Sequence, residues 1–166
     1  MELMTLLSED KHGLGEKIDF LVVNIGQSKL LIPIPAVAEI IAKQQSKASD
    51  KLPAWAVGWI DWHHLTIPLI DFNAVRWSHA AGNLGVGTGM LVLKSFTEGH
   101  SHRYYAIMVS NFPHTMRIEA DTGIASYGAE NVGKCIKIDL MVQGETLLLP
   151  DFQEIESYLK QIPLYF

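Results

Sequence analysis

The stretch Phe20-Leu21-Val22-Val23-Asn24-Ile25, Gly26-Gln27-Ser28, Lys29-Leu30-Leu31-Ile32-Pro33-Ile34 sets two short apolar runs on either side of a glycine-containing turn. This is the pattern of a β-hairpin. The pattern returns in the second half, where Met90 to Phe96 and Arg103 to Val109 flank a polar turn at Thr97 to His102. Two hairpins of the same kind, far apart in the chain, suggest a β-protein built in two similar halves.

Between the hairpins, Val37, Ile40 and Ile41 have the i, i+3, i+4 spacing of one helical face, and Pro35 stands where a helix can open. A short helix over Pro35 to Ala42 is expected, with Ile40 turned to the core. A polar loop, Lys43 to Lys51, leads to a second strand pair, Ala54 to Asp61 and Leu65 to Phe72, joined through Trp62-His63-His64. Asn73 to Ala81 suits a helical turn, and the glycine-rich Gly82 to Gly89 suits a connector. Further strands are expected at Met116 to Glu119, Cys135 to Val142 and Thr146 to Pro150. Asp151 opens a capped C-terminal helix over residues 151–164, with Phe152, Ile155, Tyr158, Leu159 and Ile162 at helical spacing.

About nine or ten short strands with few helices favour barrels over an open sheet. The expected class is all-β, with two small barrels, a tail over residues 1–17, a folded unit over 18–160 and a crossover near residues 73–89.

The 166 residues suit one domain with a real core, and the net charge of -5 with no basic run argues against nucleic acid as a partner. The single cysteine, Cys135, makes no internal disulfide and reads as a small buried side chain. No basic start followed by an apolar block marks a signal peptide, and no apolar run reaches the ~18 residues of a membrane span. A cytoplasmic protein without direct membrane insertion is expected.

The candidates for chemistry are weak. His63 and His64 beside Asp61 invite a metal, but neighbours on a strand point to opposite faces and no second cluster completes a ligand set. His100-Ser101-His102 lies in a polar turn and reads as surface loop. Gly82 to Gly89 runs into Met90-Leu91-Val92 without the Lys-Ser/Thr of a phosphate loop. Cys135 and His114 have nothing to bring them together, Ser110 and Ser126 lack a nucleophile elbow, and Asp61 and Asp71 share no evident cleft. No catalytic residue, metal or cofactor is expected. The tryptophans say more: Trp55, Trp59, Trp62 and Trp77 fall close together, and large aromatics either pack barrels or anchor interfaces. Trp62, beside a turn, is the one placed for the second role.

These elements carry a resemblance. Val37-Ala38-Glu39-Ile40, then Pro53-Ala54-Trp55-Ala56-Val57-Gly58, then the hairpin ending Ile67-Pro68-Leu69-Ile70-Asp71 resembles the CheW-like domain, and Leu147-Leu148-Leu149-Pro150-Asp151-Phe152 enters the last helix in a similar way. The resemblance implies two SH3-like five-stranded β-barrels around a shared core, no catalytic activity, and binding to the regulatory domain of a CheA-type histidine kinase and to the cytoplasmic tip of methyl-accepting chemoreceptors. Carried over residue by residue, it implies kinase contact at Val37 and Glu39 and receptor contact at Trp62 and His63, with a receptor groove near Leu91, Leu93 and Ala106 as the further candidate. It also implies association with membrane-bound receptor arrays through those partners. Two departures stand out: Asp61-Trp62-His63-His64 replaces the Asn-Leu-Arg-Gly usual at the hairpin tip, and Val109-Ser110 replaces the usual Val-Asp. They point to a divergent accessory member, such as one serving a pilus or twitching-motility system. The alternatives are an SH3-like peptide-binding module outside chemotaxis and a small histidine-dependent hydrolase or metal enzyme.

Overall fold

The structure, a computed structural model, describes residues 17–82, 89–119, 124–126 and 132–165. The expected tail apart from Lys17, the connector Gly82 to Gly89 apart from its ends, and the Ser126 side chain lie outside the described residues. Ten strands form: β1 Lys17–Ile25, β2 Ser28–Pro33, β3 Val37–Ala42, β4 Ala56–Trp62, β5 Leu65–Ile70, β6 Gly89–Lys94, β7 Tyr104–Glu119, β8 Ile124–Ser126, β9 Ile136–Val142 and β10 Glu145–Pro150. Two helices accompany them, α1 Phe72–Trp77 after β5 and α2 Phe152–Leu159 after β10.

The strands make two barrels. In the first, the C-terminal part of β7 pairs with β1, then follow β2, β10, β9 and the short β8. In the second, the order is β3, β6, the N-terminal part of β7, β5 and β4. A bridge between Lys47 and Trp59, with N···O distances of 2.8 and 2.9 Å in its two directions, ties β4 back to the chain leaving β3. Gly58 is required there, because a Cβ would lie 2.6 Å from the Lys47 carbonyl oxygen.

The barrels exchange their hairpins. β1 and β2 belong to the first half of the chain but pair with β7 and β10 of the second, while β6 and β7 pair with β3 and β5 of the first. The chain therefore passes between barrels at the 3-10 turn Ile34–Ala36 and within β7, where Asn111 takes a left-handed φ of 58°. The crossover expected near residues 73–89 is corrected: that stretch leads from β5 to β6 inside one barrel. The strand expected at Met116 to Glu119 is the continuation of β7.

The expected helix over Pro35 to Ala42 is also corrected. Only Ile34–Ala36 is helical, as a 3-10 turn, and Val37–Ala42 is a strand. The β-branched Val37, Ile40 and Ile41 fit a strand as well as a helical face, and β6 supplies the ladder, with Ile40 opposite Leu91 and Ile41 opposite Met90. Ile40, expected in the core, is 48% exposed.

Exchange of hairpins explains the unbroken apolar runs. Leu30 and Ile32 face the cluster between the barrels, whereas Leu31 between them faces the interior of the first barrel with Phe20 and Val22. Both faces of the strand are buried, so no alternation shows. The second barrel has its own interior of Ile60, Ile67, Leu69, Met90, Val92, Ala106 and Met108. The two halves end alike: Asp71 and Asp151 each accept a backbone N–H at 3.1 Å, from Ala74 and Glu154, capping α1 and α2. α2 packs Ile155 and Leu159 into the inter-barrel cluster and stops at Leu159, short of the expected Leu164. Pro163 disfavours helical geometry at the residue before it.

Candidate functional site

The β4–β5 hairpin closes in two residues, with Trp62 opposite Leu65 and both His63 and His64 at left-handed φ values of 47° and 64°. This is a type I′ turn, whose twist suits a hairpin though imidazoles replace the usual Asn-Gly. The strained tip thrusts His63 outward while the β4 register places Trp62 beside β3.

There the two meet Glu39. The indole N–H of Trp62 donates to Glu39 Oε1 at 2.9 Å, and His63 Nε2 lies 2.8 Å from the same oxygen. The carboxylate can only accept, so His63 donates through Nε2–H. These bonds, that of His63 first and that of Trp62 second, hold the Glu39 carboxyl below its usual range. Trp62 also packs its ring against Tyr104, centroids 4.9 Å apart, and meets His63 edge to face at 4.6 Å.

Below the tip, Asp61 accepts from Lys47 at 3.0 Å and from the Thr66 hydroxyl at 3.1 Å, and its carbonyl accepts from the Gln44 amide at 2.8 Å. Lys47 lowers the Asp61 pKa and Asp61 raises that of Lys47. The hairpin stem is thus fastened to the segment following β3.

The structure brings together Glu39, Trp62 and His63, which the resemblance relates to two different partners. Val37 stands at the start of β3, partly buried against the inter-barrel cluster and apart from this network. Trp62 belongs to neither extreme: its ring is partly buried on the second barrel's interior and its nitrogen reaches the surface carboxylate. Leu91, Leu93 and Ala106 are corrected as a binding groove. They are 0%, 1% and 0% exposed, the leucines of β6 facing the cluster between the barrels and Ala106 of β7 the interior of the second, because both strands are covered on both faces there.

The remaining candidates have structural roles. His102, expected in a surface loop, is buried and donates through Nε2 to the Ile162 carbonyl at 2.7 Å. His100 accepts from the His102 N–H on Nδ1 at 2.9 Å and so donates through Nε2 to the Glu156 carbonyl, also at 2.9 Å. The buried Glu156 carboxylate in turn accepts the N–H groups of Phe96 and Thr97 at 2.7 and 2.8 Å. This network pins α2 to the β6–β7 connection; the sequence offered no sign of it, since its partners lie about 60 residues apart. Cys135 is fully buried, and burial pushes its thiol up to about 12, far from a reactive thiolate. Among the described residues no cluster of His, Cys, Asp and Glu is arranged to hold a metal, and no helix is long and apolar enough to cross a membrane.

The model of the CheW-like domain matches residues 19–157. Among solved structures, the chain is similar to the scaffolding protein TtCheW from Thermoanaerobacter tengcongensis, at 11% sequence identity and a TM-score of 0.65, over 84% of this chain and 86% of that one. No curated protein matches the chain in sequence. At that identity the structural likeness speaks for the two-barrel fold, and the family match spans both barrels.

Proposed function

The chain belongs to the CheW-like domain family, and from that premise we propose that this coupling adaptor joins a CheA-type histidine kinase to chemoreceptor cytoplasmic tips through the hairpin-tip surface of its second barrel, without catalysis of its own. The observation that carries the proposal is the shared carboxylate: Glu39, the position related to kinase contact, holds Trp62 and His63, the positions related to receptor contact, at 2.9 and 2.8 Å. The two contact regions are one surface.

Its chemistry suits protein docking. A partly buried tryptophan, held in one orientation by its N–H bond and its tilted packing on Tyr104, offers apolar area with little conformational freedom left to lose. His63 replaces the arginine usual in the family, so the contact relies less on permanent charge and more on Trp62. Such a protein would sit in the cytoplasm and reach receptor arrays through its partners. Affinity measurements with purified kinase and receptor fragment test the reading: Glu39→Lys and Trp62→Ala should each weaken binding, and full affinity in both variants would contradict it.

A further inference from the structure

A cleft of about 400 Å³ opens beside the hairpin tip, between the β4–β5 turn, the Ser101–Tyr104 stretch and the C-terminal residues. Trp59, Leu65, Tyr104, Leu164 and Tyr165 supply its apolar walls, and Arg103 stands on its rim. The C-terminal wall is fixed: Tyr165 packs on Trp59 with centroids 5.2 Å apart, Lys47 lies over the Tyr165 ring at 5.8 Å, and His102 holds the Ile162 carbonyl. Tyr104 is shared with the Trp62 cluster, so the cleft continues the surface described above.

Its charge is one-sided. Among the described residues no carboxylate lines the cleft, whereas the guanidinium of Arg103 does. The acid next to it, Asp61, is already occupied by Lys47 and Thr66. Arg103, by contrast, is exposed and rests its guanidinium over the Tyr104 ring at 5.7 Å; no ion pair engages it among the described residues. Tryptophan, tyrosine and arginine are the residue types enriched in interface hot spots, and all three stand around this one hollow.

We propose that this cleft receives, from a partner protein, a segment carrying a large apolar side chain next to a carboxylate: the apolar group lies against Leu65, Tyr104 and Tyr165, and the carboxylate takes the two parallel N–H bonds of Arg103. The inference rests on the adaptor reading and names the partner chemistry for one side of that surface.

The test is calorimetric titration of the full chain with the CheA-type kinase and with a chemoreceptor cytoplasmic fragment of the same organism, using Arg103→Glu, Leu65→Lys and, as a control on the first barrel, Lys137→Glu. Leu65 is 45% exposed and Lys137 and Arg103 lie on the surface, so all three variants should fold. Affinity for one partner should fall about tenfold or more in both cleft variants and stay unchanged in the control. Unchanged affinity of both cleft variants for both partners overturns the inference and leaves the adaptor reading standing, as does a change confined to self-association in sedimentation. Failure of the unaltered chain to bind either partner overturns the adaptor reading and the inference with it.

Discussion

The indole of Trp62 and the carboxylate of Glu39 are joined by a 2.9 Å hydrogen bond across two strands that are distant in sequence, and His63 shares the accepting oxygen at 2.8 Å. Orientation of the tryptophan therefore depends on a residue of β3, and loss of either member disturbs the other.

Trp62→Ala should weaken partner binding about tenfold or more, because it removes a well-oriented aromatic anchor. It should also lower the melting temperature by several degrees, since the ring is partly buried on the second barrel's interior and on Tyr104. His63→Ala should weaken binding less, and His63→Arg should retain it, because a guanidinium can still reach Glu39. Binding and melting curves for the three variants check the order.

Glu39→Lys should reduce binding and lower the melting temperature by no more than several degrees, because it removes the half-buried acceptor of the Trp62 and His63 bonds without opening the core. Glu39→Gln keeps an acceptor for the indole N–H and should fall between the two. A cooperative loss of folding in Glu39→Lys would assign the residue to architecture instead.

Gly58→Ala should be markedly destabilising, by about 1–3 kcal/mol, because its Cβ would lie 2.6 Å from the Lys47 carbonyl and force open the bridge that ties β4 to the chain after β3. Gly144→Ala, at φ +82° with open space around it, bears only the backbone cost of about 1 kcal/mol. Urea unfolding of the two variants separates the crowding from the backbone effect.

His102 should make stability depend on pH. Burial lowers its pKa, against a smaller opposing effect of the bond to the Ile162 carbonyl. A histidine held neutral in the folded state contributes stability that is complete above its unfolded value of about 6.5 and is lost as pH falls through the lower folded value. Stability should thus decline below pH ~6.5, before Glu39, Asp61, Asp19 and Glu145, whose pKa values are lowered from already acidic ones, lose their ionised pairing. His102→Asn should flatten the first part of that decline in melting temperature against pH.

Much of this architecture is readable from residues alone. The Phe20–Ile34 hairpin, the Asp151 cap and the all-β class follow from local patterns that burial reinforces, whereas the helical turn expected over Asn73 to Ala81 starts earlier, at Phe72, on a cap by Asp71. Val37–Ala42 misleads because three β-branched residues fit two periodicities and only the distant β6 decides between them. The exchange of hairpins between barrels is likewise settled by long-range pairing, Leu30 with Leu148 and Leu69 with Ala106, that no local pattern encodes. At the hairpin tip, the turn and the place of Trp62 beside it were legible in the sequence, and His63 entered through the family resemblance. Their bond to Glu39 was not, since a residue placed on a helix would not have stood beside the hairpin.

Coupling itself is the central claim, and co-sedimentation measures it most directly. Receptor-containing membranes are mixed with the CheA-type kinase in the presence and absence of this chain, and the kinase recovered with the membranes is quantified. The unaltered chain should raise the recovered kinase well above the level seen without it, and Trp62→Ala should do so less. Equal recovery with and without the chain would contradict coupling.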